Sequence, residues 1–161
     1  RTDQNGPKEG APILVRWTLN RTTGSLTEAV LDDRGNEFPR LNGRYGGQAY
    51  RYLYSSYWGD KVAFGPALKH DVDRGTTEVH DYGRRRMTSE PVFAPKPGAV
   101  AEDEGWIMSY VYDSDRNLSD VVILDAQDFA GEPIATIRLP VRVPYGFHGG
   151  WAPDANLPPV A

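Results

Sequence analysis

Short apolar or alternating runs, each followed by a turn signal, succeed one another along almost the whole chain. PILVRWTL and LTEAVL flank the turn NRTTGS, and YRYLYSS and KVAFG flank YWGD. ALKHDV and TEVHDY flank DRGT, in which Gly75 offers the positive φ that a tight hairpin requires. EPVFAP is a short proline-bounded strand, and GWIMSYVYD, SDVVILDA and EPIATIRLP form a meander. The pattern predicts an all-β chain of antiparallel strands.

This pattern does not choose between a sandwich, a barrel and propeller blades, because no sharp internal repeat is present. The 161 residues have the size of one domain. Helical periodicity is nearly absent, and no apolar run approaches the about 20 residues that span a bilayer.

Composition narrows the function classes. The net charge is -4 and the 18 Lys and Arg residues are scattered, so we expect no nucleic-acid partner. The chain has no cysteine, which excludes disulfides, thiol catalysis and Cys-ligated zinc and fits a reducing cytoplasm. It begins with Arg1 and has no signal-peptide pattern, and we expect it to be a segment of a longer protein.

The three histidines differ in their surroundings. His148 follows an apolar run in VRVPYGFHGGW and precedes two glycines, where a ligand or backbone can approach closely. It could be a metal ligand, a general base or a packed ring. His70 and His80 lie on opposite arms of one hairpin, beside aspartates, and we expect both to be solvated surface residues.

Two glutamates, Glu37 in NEFPR and Glu90 in SEPVFAP, each stand against a proline and near an aromatic residue. Burying such a carboxylate requires a cation or a donor such as a histidine N–H, although a turn glutamate before an edge strand explains the pattern equally well. The acidic run AEDEG, by contrast, is expected to be a solvated turn. No nucleophile elbow and no phosphate loop is found.

Several stretches together resemble the C-terminal part of the carotenoid cleavage oxygenase family. They are PILVRWTLNRTTG, EFPRLNGRYGGQAYRYLYS, SEPVFAPKPGAVAEDEGWIMSYVYD and DVVILDAQDFAGEPIATIRLPVRVPYGFHGGW. The resemblance implies a seven-bladed β-propeller with Fe(2+) on its axis, held by four histidines from different blades. It also implies glutamates that hydrogen-bond the far nitrogens of three of those histidines.

The family motifs can be carried onto individual residues. GFHG implies that His148 is a metal ligand at the end of an inner strand that points at the axis. The EFP and SEP motifs imply that Glu37 and Glu90 are the supporting carboxylates, with Glu90 bonded to His148 and Glu37 to a histidine outside this chain. Phe147 resembles an aromatic residue that lines the family's substrate tunnel. A carboxylate on one ring nitrogen fixes the tautomer and direction of a ligating imidazole.

The departures from the family define what this chain lacks. The other three iron histidines and the first of the three glutamates have no counterpart, since neither His70 nor His80 stands in a ligand motif. Residues 1–161 therefore resemble the C-terminal segment of a single propeller domain with one metal ligand of four. We expect the segment alone to be inactive and prone to self-association along its cut edges.

The resemblance implies a non-haem iron(II) dioxygenase that cleaves a C=C bond of a carotenoid, apocarotenoid or stilbenoid to carbonyl products. Its partners would be an apolar polyene or stilbenoid substrate and O2, in the cytoplasm, with peripheral membrane contact left open. The alternative is a non-catalytic β-module that binds an apolar ligand or a protein partner. An isomerase-hydrolase of retinyl esters ranks last.

Overall fold

The computed structural model describes residues 10–59 and 64–157, and within these ranges nearly all regular structure is β-strand. The strands are β1 (Ile13–Leu19), β2 (Leu26–Arg40), β3 (Tyr52–Trp58), β4 (Phe64–Asp71), β5 (Thr76–His80), β6 (Arg86–Thr88), β7 (Val92–Pro95), β8 (Gly105–Asp113), β9 (Leu118–Asp125) and β10 (Ala135–Arg138). Two short 3-10 helices span Gly43–Tyr45 and Asp154–Asn156. Three residues of the KVAFG run, Lys61 to Ala63, lie outside the described ranges.

The strands form two five-stranded antiparallel sheets. The first has the order β1-β2-β3-β4-β5, and the second has the order β10-β9-β8-β6 with β7 paired to β8. The hairpin between β4 and β5 turns at Gly75, whose φ is +64° as its turn requires. The predicted all-β meanders are confirmed.

Strand β2 bends sharply and belongs to two ribbons. Its first part pairs with β1, and its last residues pair with β3. The bend falls at Gly35, where a Cβ would lie 2.0 Å from the carbonyl oxygen of Trp58. Only glycine permits this approach, so Gly35 lets β2 pass close to β3, and the EFPR motif that follows lies along the stretch paired with β3.

One hydrophobic core joins the two sheets. Its buried members come from both: Tyr54, Ala67, Phe93, Ile107, Val111, Val122, Leu124, Ala126 and Phe129. The Tyr54 ring stacks on Phe93 at a centroid distance of 5.7 Å. Strands β3 and β4 of the first sheet therefore face strands β7, β8 and β9 of the second.

The acidic run AEDEG is not the solvated turn that we expected. The Glu102 carboxylate accepts hydrogen bonds from the backbone N–H groups of Arg51 and Tyr52, at 2.8–3.0 Å. Asp103 pairs with the buried Lys69 ammonium at 2.9 Å. These acids were misread because their donors lie some 35 to 50 residues away, and they fasten the second sheet to β3 and β4.

The expectation of surface positions for His70 and His80 is wrong, since both are buried. Strand β4 lies between β3 and β5, and its last five residues are all buried. The His70 ring contacts the Ser55 hydroxyl at 2.9 Å and the Thr77 hydroxyl at 3.1 Å. Polar residues on a hairpin here are internal because the second sheet and the bent β2 cover them.

From Leu139 to Pro153 the chain forms no strand or helix. It is anchored at Ser119, whose N–H donates to the Val141 carbonyl at 3.2 Å and whose hydroxyl accepts from the Val143 N–H at 3.0 Å. His148 therefore lies in an irregular segment, and the expectation that it ends an inner strand is wrong. Pro140 and Pro144 lack the N–H groups that a strand ladder would use. No helix within the described ranges has the length and apolar character needed to cross a membrane.

Candidate metal site

His148 is held by Glu90, although the two residues are 58 positions apart. The ring Nδ1 lies 3.2 Å from Glu90 Oε1, and the other carboxylate oxygen, Oε2, accepts the Gly149 N–H at 2.7 Å. The Glu90 side chain is 4% exposed, whereas that of His148 is 71% exposed. A buried carboxylate thus orients an imidazole that faces outward.

This contact determines which ring nitrogen is available. An ionised carboxylate only accepts hydrogen bonds, so the proton of a neutral His148 is placed on Nδ1. The lone pair then lies on Nε2, which is therefore the ring nitrogen left to bind a metal ion. The same Glu90 side chain fixes the backbone immediately after the ring through Gly149.

Two residues of the EFPR motif also reach the site. The Phe38 ring meets the His148 ring edge-on, at a centroid distance of 5.8 Å and an interplanar angle of 78°. Phe38 has a φ of +56°, which non-glycine residues adopt rarely and at a cost. Arg40 Nη1 lies 3.5 Å from Glu90 Oε1, and its Nη2 donates to the Gly149 carbonyl at 3.2 Å.

His148 opens onto a cavity of about 500 Å³ between the C-terminal segment and the second sheet. Phe38, Phe64, Val92 and Met108 contribute apolar wall, and Phe147 lines the same cavity with 82% of its surface exposed. The cavity thus combines one imidazole with a largely apolar lining, the surroundings that an apolar ligand needs.

Glu37 is half-buried in β2, opposite Ser56 of β3. Its Oε2 accepts the N–H of its neighbour Phe38 at 3.2 Å. The structure does not bring Glu37 to any of the three histidines at hydrogen-bond distance within the described residues. Its expected role toward a histidine outside this chain stays a prediction.

The other two histidines are internal. Burial lowers the pKa of His70 to about 4, against the opposing effect of Asp32, and burial also lowers the pKa of His80. The His70 ring is committed to Ser55, Asn36 and Thr77. Both rings are buried, and neither lines the cavity onto which His148 opens.

A complete metal site is not formed by the part of the chain that the structure describes, which contains no cluster of three or more His, Cys, Asp and Glu side chains. The residues present nevertheless fit one position of such a site. His148 presents a nitrogen to a cavity, and the buried Glu90 supplies the hydrogen-bond acceptor that ligating histidines almost always have.

Reasoning from residues missed Phe38 and Arg40 as neighbours of His148. Both residues belong to the same short motif as Glu37, since they stand on either side of Pro39. No spacing rule could have placed them at the site, since Arg40 and Gly149 are 109 positions apart. The contact depends on the bend in β2.

A family model and several known proteins are similar to this chain over most of its length. The family model described as RPE65, retinal pigment epithelial membrane protein, matches residues 1–153. A carotenoid cleavage oxygenase of Mycobacterium tuberculosis is 41% identical over 159 residues, which cover 94% of this chain and 31% of the relative. Apocarotenoid-15,15'-oxygenase of Synechocystis is 35% identical over 142 residues, covering 86% of this chain and 29% of that protein.

The fold of this chain is also similar to that of a solved structure. The cobalt-substituted apocarotenoid oxygenase of Synechocystis superposes with a TM-score of 0.85 at 33% identity, covering 93% of this chain and 32% of the other. The two sheets are thus blades of a β-propeller of the kind found in oxygenases. The chain belongs to the RPE65 and carotenoid cleavage oxygenase family. It spans about 30% of the length of the relatives that it matches.

Proposed function

We propose that this chain is the C-terminal segment, residues 1–161, of a single-domain non-haem iron(II) dioxygenase. The complete protein, meaning this segment together with the remaining blades, cleaves a C=C bond of a polyene or stilbenoid to two carbonyl products. Both atoms of O2 enter the products, so the reaction balances without an external reductant.

The observation that carries the proposal is the Glu90–His148 pair at the wall of an apolar cavity. His148 is the metal ligand that this chain supplies, and Glu90 holds its ring. Glu37 supports a histidine of another blade. The other three ligands come from outside these 161 residues, as the shared family and the partial coverage of its members support.

Iron(II), when bound, supplies the redox chemistry by which O2 attacks an otherwise unreactive double bond. The chain's own residues bind and orient. Glu90 keeps the proton on Nδ1 of His148, and the Gly149 N–H holds the carboxylate in turn. Phe147 and the other apolar side chains of the cavity exclude water and accept the hydrocarbon part of the substrate.

The substrate class fits the relatives, which are a carotenoid cleavage oxygenase and an apocarotenoid oxygenase. An apocarotenoid is therefore the first substrate to test. The proposed location is the cytoplasm, which the absence of cysteine supports. Membrane contact would serve the delivery of such an apolar substrate.

The experiment is a cleavage assay with an apocarotenal and ¹⁸O2, performed on the complete protein and on the isolated 161-residue chain. We expect aldehyde products carrying ¹⁸O from the complete protein, lost on chelation and restored by Fe(2+). We expect no turnover by the isolated chain, because one imidazole cannot hold iron(II) against water. Phe147→Ala should raise KM for the apocarotenal more than it lowers kcat.

Two results would overturn the proposal. Chelator-sensitive cleavage by the isolated chain would mean that a full metal site forms within it. Stoichiometric binding of the apocarotenal by an iron-loaded complete protein that never cleaves it would favour the alternative, a β-module that only binds an apolar ligand.

A further inference from the structure

We propose that Arg40 is a positioning residue for the metal site, and that it acts through Glu90 and Gly149 rather than by touching metal or substrate. The inference rests on the proposed function, because it assumes that His148 binds the metal. Arg40 is 108 residues from His148 in the sequence and meets the site only through its contacts with Gly149 and Glu90.

The contacts form a closed arrangement around the residue that follows the ligand. The Gly149 N–H donates to Glu90 Oε2 at 2.7 Å, and the Gly149 carbonyl accepts from Arg40 Nη2 at 3.2 Å. Arg40 Nη1 lies 3.5 Å from Glu90 Oε1, the same oxygen that faces Nδ1 of His148. Both polar groups of Gly149 are therefore held, one by the carboxylate and one by the guanidinium.

The buried charge of the Glu90 carboxylate explains why a cation lies next to it. The Glu90 side chain is only 4% exposed, and an isolated buried carboxylate carries a large desolvation cost. Arg40 offsets this cost and draws Oε1 into the position from which it meets the ring. A glycine directly after the ligand has more backbone freedom than any other residue, so the arrangement also restricts the segment where it would otherwise move most.

The strained end of β2 aims Arg40 at this point. Ladder pairing passes from Glu37 opposite Ser56 to Arg40 opposite Tyr54 through an irregularity, and Phe38 within it has a φ of +56°. Such bulges redirect the side chains that follow them and are found beside functional sites. The bulge at the end of β2 thereby allows Arg40 to bind the backbone of Gly149, which lies 109 residues further along the chain.

Arginine suits this task better than lysine. One Nη atom donates a hydrogen bond to the Gly149 carbonyl, while the other forms an ion pair with the Glu90 carboxylate, and both belong to one planar group. A lysine ammonium supplies the charge but not the fixed fork. Arg40→Lys should therefore preserve part of the function, and Arg40→Met should remove it.

The test uses the complete protein, freed of metal and titrated with Co(II), whose visible absorption reports the ligand set. We expect Co(II) to bind about tenfold more weakly to Arg40→Met and to show a changed spectrum, within the range seen when supporting partners of metal ligands are lost. Arg40→Lys should fall between Arg40→Met and the unmodified protein. The control is Arg44→Met, which removes an arginine four positions away whose guanidinium donates to the Ala99 carbonyl.

A double-mutant cycle with Glu90→Gln separates action through Glu90 from a general structural effect. In the Glu90→Gln background, Arg40→Met should weaken Co(II) binding less than about threefold, because its main partner is already altered. Melting temperatures of the metal-free variants establish that each one folds. Full additivity of the two changes, or unchanged Co(II) affinity in a folded Arg40→Met protein, would overturn the proposal.

Failure of the proposed function would look different. In that case the unmodified complete protein would bind no Co(II), or His148→Ala would bind it as tightly as before. The Arg40 proposal fails alone if His148→Ala abolishes binding and Arg40→Met does not change it.

Discussion

Phe38 has a strained backbone, and its ring contacts the candidate ligand His148. Its φ of +56° costs a non-glycine residue about 1 kcal/mol, while its ring packs on Phe64 and against His148. Phe38→Ala and Phe38→Gly both remove the ring, but only the glycine variant relieves the strain. We expect Phe38→Gly to be the more stable of the two by about 1 kcal/mol in urea unfolding.

Metal binding should not follow that order, because both variants lose the same edge-on contact with His148. We expect Co(II) affinity to fall to a similar extent in the two. At an ordinary strand position alanine is the more stable residue. If Phe38→Ala proved more stable than Phe38→Gly, the backbone at this position would not be strained as described.

His70 links stability to pH. Burial lowers its pKa to about 4, partly opposed by Asp32 and supported by Arg34. The unfolded chain, with an ordinary histidine pKa of about 6.5, binds a proton that the folded chain does not bind between pH 6.5 and 4. Stability from this residue is therefore complete above pH 6.5 and declines as the pH falls toward 4.

The measurement is urea unfolding of the complete protein at pH 7 and pH 5, compared with His70→Gln. Titrating groups that lie away from His70 contribute equally to both proteins, so the difference reports His70 together with its neighbour Asp32. We expect the unmodified protein to lose about 2 kcal/mol more than the variant between the two pH values. Equal losses would show that His70 is solvated in the folded state.

At the scale of elements, Gly35 allows the bend on which the site depends. A methyl group there would lie 2.0 Å from the Trp58 carbonyl oxygen, so β2 and β3 would have to move apart. We expect Gly35→Ala to lower the free energy of unfolding by about 1–3 kcal/mol and to weaken metal binding through displacement of the EFPR motif. The matched control is Gly43→Ala, where no atom lies within 4 Å of the added carbon.

A neutral Gly35→Ala variant would contradict the close approach of β2 to β3. Hydrogen exchange of the β3 amides in the same variant gives a local check, since protection near Trp58 should fall before that of β8 and β9. Those strands lie in the other sheet.

The strands could be predicted from sequence because their signals are local. Alternation and β-branched residues define GWIMSYVYD, and β8 has the same bounds as that run. Turn chemistry placed the hairpin at Gly75. The bend at Gly35 and the burial of His70 could not be predicted in this way, since both depend on which distant strand passes nearby.

Some residues of the candidate site could be predicted from the sequence, and others could not. His148, Glu37 and Glu90 were found through family motifs, whereas the residues alone left a packed ring and turn glutamates equally open. Arg40 and the Phe38 ring join the site only because the chain folds back over 109 positions. Long-range contacts of this kind leave no periodic trace in one sequence.

The unpaired outer faces of these blades carry a consequence for the isolated chain. Val30 in the β1–β2 ribbon is 55% exposed, and Ile137 on the edge strand β10 is 52% exposed. Exposed edges and apolar faces pair with other chains. We expect the 161-residue chain to associate at micromolar concentration in sedimentation velocity, and Val30→Lys with Ile137→Lys to reduce this.

Val100→Lys is the control, because Val100 is 90% exposed in a loop and should not affect association. A stable 17.9 kDa monomer with cooperative unfolding would show that these residues close their own core. The prediction that the isolated segment exposes unpaired edges and apolar faces would then be wrong.

For the whole molecule, the central claim is that this chain contributes one ligand, His148, to an iron site that the rest of the protein completes. The most direct measurement is the iron content of the purified complete protein after reconstitution, with and without His148→Ala, together with its melting temperature in the metal-free state. We expect about one iron per protein and nearly none in His148→Ala, because one of the four proposed protein ligands is lost. The metal-free melting temperature should be unchanged, because the His148 side chain is largely exposed. Full iron occupancy in a folded His148→Ala protein would contradict the account.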